Sequence, residues 1–172
     1  MKAIDDINFF KTDTISLAKS LIGKWIETNI NGKIVRAQIS ETEAYLGEMD
    51  SACHSYKGKR TSRNQPMFME GGTIYVYLCY GMHHLFNIVS KDINQPEAVL
   101  VRAVVGANGP GKLTKKLNID KSLNGEKIVD NPKIQILDDG KKYSFTLAKR
   151  VGIDYAQEKD KNALIRFVLK ED

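Results

Sequence analysis

An α+β fold is the architecture the sequence predicts: one domain over residues 1–172, a curved antiparallel β-sheet with flanking helices and a protruding β-hairpin. Three observations predict it. Hairpin signals recur along the chain, the strand–helix–strand alternation of a parallel sheet is missing, and the length suits one domain with a sizeable core.

Asp13 is placed to cap a short helix carrying Ile15, Ala18, Leu21 and Ile22 on one face, with Gly23 near its end. Residues 25–30 and 33–45 flank Asn31-Gly32, a pair suited to a type I′ turn, and so predict a hairpin. Gly71-Gly72 precedes a strand at 73–79; Tyr80-Gly81-Met82-His83 reads as the next turn, and 85–90 as the returning strand. Residues 98–105 are apolar and β-branched, the pattern of a further strand. A helix over 111–118 and strands at 134–137, 143–147 and 164–169 complete the expected set.

Composition narrows the function classes. An apolar share of 42% marks a globular chain, and no apolar run approaches the ~20 residues that span a bilayer. The opening Met1-Lys2-Ala3-Ile4-Asp5-Asp6 lacks the apolar stretch of a secretory signal, and Cys53 and Cys79 alone argue against a disulfide framework. A cytoplasmic location is expected. The net charge of +5 is moderate, but its distribution is uneven. Residues 57–63 hold Lys57, Lys59, Arg60 and Arg63 with no acid, a patch suited to phosphates. Residues 112–127 hold five lysines against Asp120 and Glu126, which a plain solvated surface explains equally well.

Gly106-Ala107-Asn108-Gly109-Pro110-Gly111-Lys112 matches the first seven positions of a phosphate-binding P-loop, but Leu113 stands where a Ser or Thr should meet magnesium. An NTPase is therefore not expected. A reduced reading keeps the helix start near Gly111, with Lys112 beside it, as a seat for a DNA phosphate. His83-His84 and Cys53-His54 lack further ligands at metal-binding spacing, so neither metal nor cofactor is expected.

Glu41, Glu43 and Tyr45 alternate onto one strand face. Taken alone, that pattern describes the solvated side of a sheet. Its company changes the reading. Tyr75, Tyr77 and Cys79 alternate in the same way, and Tyr80 sits where a hairpin turns, a poor core position and a useful wedge between base pairs. Carboxylates, aromatic faces and basic side chains within forty residues suit an enzyme that grips a nucleic acid, stacks a base and performs water chemistry on it.

The chain resembles the alkyladenine (3-methyladenine) DNA glycosylase family, as a short bacterial-type member. The resemblance is carried by Glu41-Thr42-Glu43-Ala44-Tyr45-Leu46-Gly47, His54-Ser55, Thr61-Ser62-Arg63-Asn64 and Met67-Phe68-Met69. It continues through residues 72–77, Tyr80-Gly81-Met82, Asn87, residues 99–103, residues 109–113 and Arg150-Val151-Gly152, in order, over nearly the whole chain. It implies a monofunctional enzyme that removes alkylated or deaminated purines from double-stranded DNA, working as a monomer with no membrane or obligate protein partner. By position, Glu43 resembles the general base, Arg102 a side chain that helps hold the attacking water, and Val151 the residue whose carbonyl completes the water's cage. Tyr45, His54 and Tyr77 resemble the walls of the base pocket, and Asn87 the steric gate against the exocyclic amine of guanine. Tyr80 resembles the intercalating residue, with Met82, Arg60, Arg63 and Lys112 as further DNA contacts. Against the family's pattern, residues 104–108 stand in place of a longer charged insertion, the sequence stops at Asp172 soon after Phe167 where family members often extend further, and His83 stands where an aromatic is common.

The implied chemistry is consistent with these groups. Breaking an N-glycosidic bond builds positive charge on the sugar, which a nearby carboxylate stabilises while it takes a proton from water. A catalytically silent nucleic-acid-binding module remains the alternative, and substitution of Glu43 separates the two.

Overall fold

The computed structural model describes residues 1–171. In chain order the elements are β1 (Lys2–Ala3), α1 (Ile7–Phe10), α2 (Thr14–Leu21), β2 (Trp25–Ile30), β3 (Lys33–Tyr45), β4 (Ile74–Cys79), β5 (His83–Val89), β6 (Ala98–Val104), β7 (Ala107–Asn108), α3 (Pro110–Leu117), β8 (Ile134–Asp138), β9 (Phe145–Ala148), α4 (Glu158–Lys161) and β10 (Arg166–Leu169). Every strand pairing is antiparallel, and the sheet curls into a half-barrel, as the hairpin signals predict.

The path through the sheet runs β1-β8-β2-β3-β6-β5-β4, with β10 added against β3 and β9 against β10. The long strand β3 is the spine. Its first half pairs with β2 across the Asn31-Gly32 turn, whose residues take φ of 53° and 78°, as a type I′ turn requires. Its second half lies between β6 and β10, so residues 41–43 are paired on both sides. A carboxylate there is lifted out of water by the sheet itself.

One face of this sheet makes the main core, in which Ile39, Ile74, Val76, Phe86, Ile88, Val99 and Val101 join Phe10, Leu17 and Leu21 of α1 and α2 and Leu113 and Leu117 of α3. Asp13 caps α2 as expected, its carboxylate accepting the Ser16 N–H at 2.9 Å. Helix α3 is fixed to β5 by the Thr114 hydroxyl, which donates to the His84 carbonyl at 2.8 Å, and it ends at Asn118 in the left-handed region.

Differences from the sequence reading are local. The P-loop-like run folds as a tight hairpin, because β7 turns back onto β6 with Ala103 opposite Asn108 and Val104 opposite Ala107. The hairpin β6–β7 and the four-residue α1 and α4 are too short to leave a periodic signature. Residues 46–73 form no long element; three 3-10 turns, Gly47–Met49, Tyr56–Gly58 and Gln65–Phe68, shape them instead.

Candidate active site

The period-2 alternation that fills the core with one set of side chains projects the other set into a single cavity. In β4, Ile74 and Val76 enter the core while Tyr75, Tyr77 and Cys79 line the cavity. In β6, Val99 and Val101 enter the core while Ala98, Leu100 and Arg102 line the cavity. Register does the rest: Glu43 pairs with Leu100, Leu100 with Asn87, and Asn87 with Tyr75. These four residues form one row straight across β3, β6, β5 and β4. The resulting cavity is about 450 Å³, within the usual range for a small-molecule site.

Glu43 is fully buried in its wall. Its Oε1 accepts the Tyr45 hydroxyl at 2.9 Å and its Oε2 the Val151 backbone N–H at 2.7 Å. Burial pushes its carboxyl above the ordinary range, opposed by those two donors and by the Arg102 and Arg150 charges. Arg102 owes its place to a β-bulge. Between the pairs Glu41–Ala103 and Thr42–Val101 the register shifts, so Arg102 has no residue opposite it. Its Nε is buried without a hydrogen-bond acceptor among the described residues, 3.4 Å from Glu41 Oε2. Glu41 itself does not line the cavity; its carboxylate ties Arg102 to Arg166 of β10. Alternation alone places the two glutamates together, and the bulge separates their tasks.

The other walls are aromatic. The rings of His54 and Tyr77 lie 4.6 Å apart at 61°, and Tyr75 and Tyr77 lie 5.2 Å apart. His54 comes from the 46–73 segment and is fixed by a 2.9 Å hydrogen bond between its Nδ1 and the Tyr75 hydroxyl. Partial burial, then the Arg63 and Lys59 charges, lower the His54 pKa from its ordinary value. Asn87 is buried, with its amide donating to the Tyr75 carbonyl at 3.2 Å.

The profile of the methylpurine-DNA glycosylase family matches residues 8–106 and 105–172. Full-length relatives agree. A protein of Borrelia garinii subsp. bavariensis named "Putative 3-methyladenine DNA glycosylase" is 44% identical, covering 97% of this chain and 96% of its own. Proteins of the same name from Borreliella afzelii and Natranaerobius thermophilus are 46% and 41% identical, over 96% and 97% of this chain and 95% and 96% of theirs. The chain belongs to the methylpurine-DNA glycosylase family.

In this family member the remaining candidates sit at or beyond the cavity's rim. Tyr80 lines it and is 92% exposed; Met82 is exposed beside it. Both belong to the turn between β4 and β5, closed by the Met82 N–H donating to the Cys79 carbonyl at 3.1 Å. Arg63 lines the cavity, its guanidinium 5.4 Å from the Tyr77 ring centroid. Arg60 lies outside it, stacked 4.5 Å from the Phe68 ring and donating to Gln65. Lys112 is exposed in the first turn of α3 and also lies outside, whereas Pro110 lines the cavity. The structure adds Tyr75 and Tyr155 to the cavity wall, and Arg150 and Asp50 behind it, beyond the residues the sequence predicts. For Tyr75 the signal was present in its alternation with Tyr77. Tyr155, an exposed ring at the mouth whose hydroxyl donates to the Ala52 carbonyl at 3.0 Å, had no local signal. Nor had the Arg150–Asp50 pair, which spans 100 residues of sequence.

Proposed function

We propose that the protein is a monofunctional base-excision repair glycosylase that hydrolyses the N-glycosidic bond of alkylated or deaminated purines flipped out of duplex DNA. The observation that carries this reading is the Glu43 carboxylate, buried and doubly held at the wall of an aromatic-lined cavity beside an exposed tyrosine turn. In this reading Glu43 takes the proton of the attacking water and stabilises the positive sugar as the base departs. The Arg102 guanidinium, at the cavity wall and tied on its far side to Glu41, helps to hold that water, with the Val151 carbonyl completing its seat. Tyr45, His54 and Tyr77 stack on the purine; a cationic N3- or N7-alkylated ring gains about 0.5–2 kcal/mol from each face. Asn87 screens the purine edge. Tyr80, supported by Met82, fills the gap left in the duplex, while Arg60, Arg63 and Lys112 contact phosphates.

The products are a free base and an abasic site. The protein acts as a monomer, with no metal or cofactor. The two unpaired cysteines fit the reducing cytoplasm. The candidate lesions are 3-methyladenine, the base in the relatives' names, together with 7-methylguanine, hypoxanthine and ethenoadenine. Incubation with single-lesion duplexes, followed by chromatography, should release free base from at least one of them. Binding without release across the panel would instead make the chain a binding module. Borohydride should trap no covalent adduct, because water and not a lysine attacks the sugar.

A further inference from the structure

Glu43 is gripped by two donors that belong to different parts of the chain, the Tyr45 hydroxyl two residues away and the Val151 N–H 108 residues later. One buried guanidinium touches the support of both. Arg150, immediately before Val151, has a side chain of 0% exposure. Its Nη1 and Nη2 donate to the two Asp50 oxygens at 2.6 and 2.9 Å, a bidentate pair. Nη1 also donates to the Ala44 carbonyl at 3.1 Å, and Nη2 to the Asp160 carbonyl at 3.3 Å. Ala44 is the residue between Glu43 and Tyr45. The guanidinium lies 4.9 Å from the centre of the Tyr45 ring. Asp50, in turn, accepts the N–H groups of Leu46 and Ala52, fixing the segment that follows β3.

We propose that Arg150, anchored by Asp50, is a positioning residue for excision: it fixes the strand residue, the ring and the peptide that together aim the Glu43 carboxylate. Arg150 does not line the cavity, so it acts through its neighbours and not on the substrate. The arrangement explains why an ion pair is buried here at all. Such pairs are poor sources of stability, and apolar residues of similar volume usually serve better. A planar fork with five donors can hold a carboxylate, two carbonyls and an aromatic face at once, which neither an apolar side chain nor a lysine can do. The groups facing Glu43 are the Tyr45 hydroxyl and the Val151 N–H, then Arg102 and Arg150, with Tyr77 and Tyr155 farther off. Loosening Val151 and Tyr45 removes the two strongest supports of the ionised form.

This proposal rests on the excision reading, and its test separates the two. Single-turnover base release would be followed from acid to neutral pH for the wild type, Arg150→Lys and the double variant Asp50→Asn/Arg150→Met. The double variant leaves no unpaired buried charge and so guards against simple unfolding. Both variants should bind lesion duplex normally, release base about 10- to 100-fold more slowly, and show an acid limb displaced to higher pH. The Lys variant retains the charge but not the fork, so it should recover little of the rate. A folded double variant with the wild-type rate and limb would overturn the proposal, as would full rescue by lysine. The ¹³C titration of the Glu43 side-chain carboxyl, recorded without DNA, gives a second readout. A midpoint unmoved in both variants refutes the positioning role even if the wild type releases no base. Failure of the wild type to release base refutes the excision reading alone.

Discussion

Glu43 lies at the centre of an opposition between burial and hydrogen bonding. Burial raises its carboxyl above the ordinary glutamate range, while Val151, Tyr45, Arg102 and Arg150 limit the rise. The folded protein therefore takes up a proton at Glu43 more readily than the unfolded chain does. The stability linked to that proton is full below the unfolded-state value and disappears as pH rises through the folded one. Ionised Glu43 is thus a net cost to the fold at neutral pH. Glu43→Gln should keep both hydrogen bonds, its carbonyl accepting from Val151 and its amide donating to the Tyr45 oxygen. The variant should melt no lower than wild type at pH 7, bind lesion DNA, and lose roughly 10²–10⁴-fold in single-turnover base release. Retained release would remove Glu43 from the mechanism. In the wild type, excision should fall on acidification along a limb placed above the ordinary glutamate range, read from a pH–rate profile. His54, lowered from its usual value, should contribute no limb there.

At the scale of elements, the hairpins β2–β3 and β4–β5 differ in the residues that make their turns. The Asn31-Gly32 turn uses the residues that tolerate positive φ, whereas the turn between β4 and β5 places Tyr80 at φ 51° and Gly81 at 65°. A bulky side chain in the left-handed region costs about 1–2 kcal/mol. Tyr80→Asn should therefore stabilise the protein by roughly 1 kcal/mol in urea unfolding while weakening lesion binding and base release. Loss of stability together with loss of activity would show that the ring serves the fold. A different constraint acts at Gly71, where a Cβ would lie 2.6 Å from the Lys91 carbonyl and 2.8 Å from both the Lys11 Cα and the Ser90 carbonyl. All three are backbone atoms. Gly71→Ala should cost about 1–3 kcal/mol by the same measurement. The strands themselves were legible because alternation and turn chemistry are local, and Tyr45, Tyr77 and Tyr80 were legible with them. Register was not. That Glu43, Leu100, Asn87 and Tyr75 form one row depends on pairings between segments far apart, and the bulge that isolates Arg102 has no sequence mark.

For the whole molecule, charge and topology carry the remaining consequences. Lys112 and Arg60 lie outside the cavity on exposed surface, so their proposed work is purely electrostatic. Each phosphate contact contributes about 0.9 to the slope of log K against log salt on duplex DNA. Lys112→Gln and Arg60→Gln should each flatten that slope by roughly this amount in a fluorescence titration, with little change in single-turnover release once bound. An unchanged slope would place the DNA elsewhere. The fold class and the strand order along the chain were readable from composition and turns. The docking of β10 and the Arg150 segment onto β3 was not, because nothing local announces a partner more than a hundred residues away. That docking makes the Glu43 strand depend on a segment far along the chain. The β2–β3 hairpin is closed by its own short turn, whereas the second edge of the Glu43 strand is paired by Arg166. Without β10 the backbone groups of residues 41–43 that face Arg166–Val168 would meet water, and the strand that carries the carboxylate would be left with an open edge, a ready template for pairing with another chain.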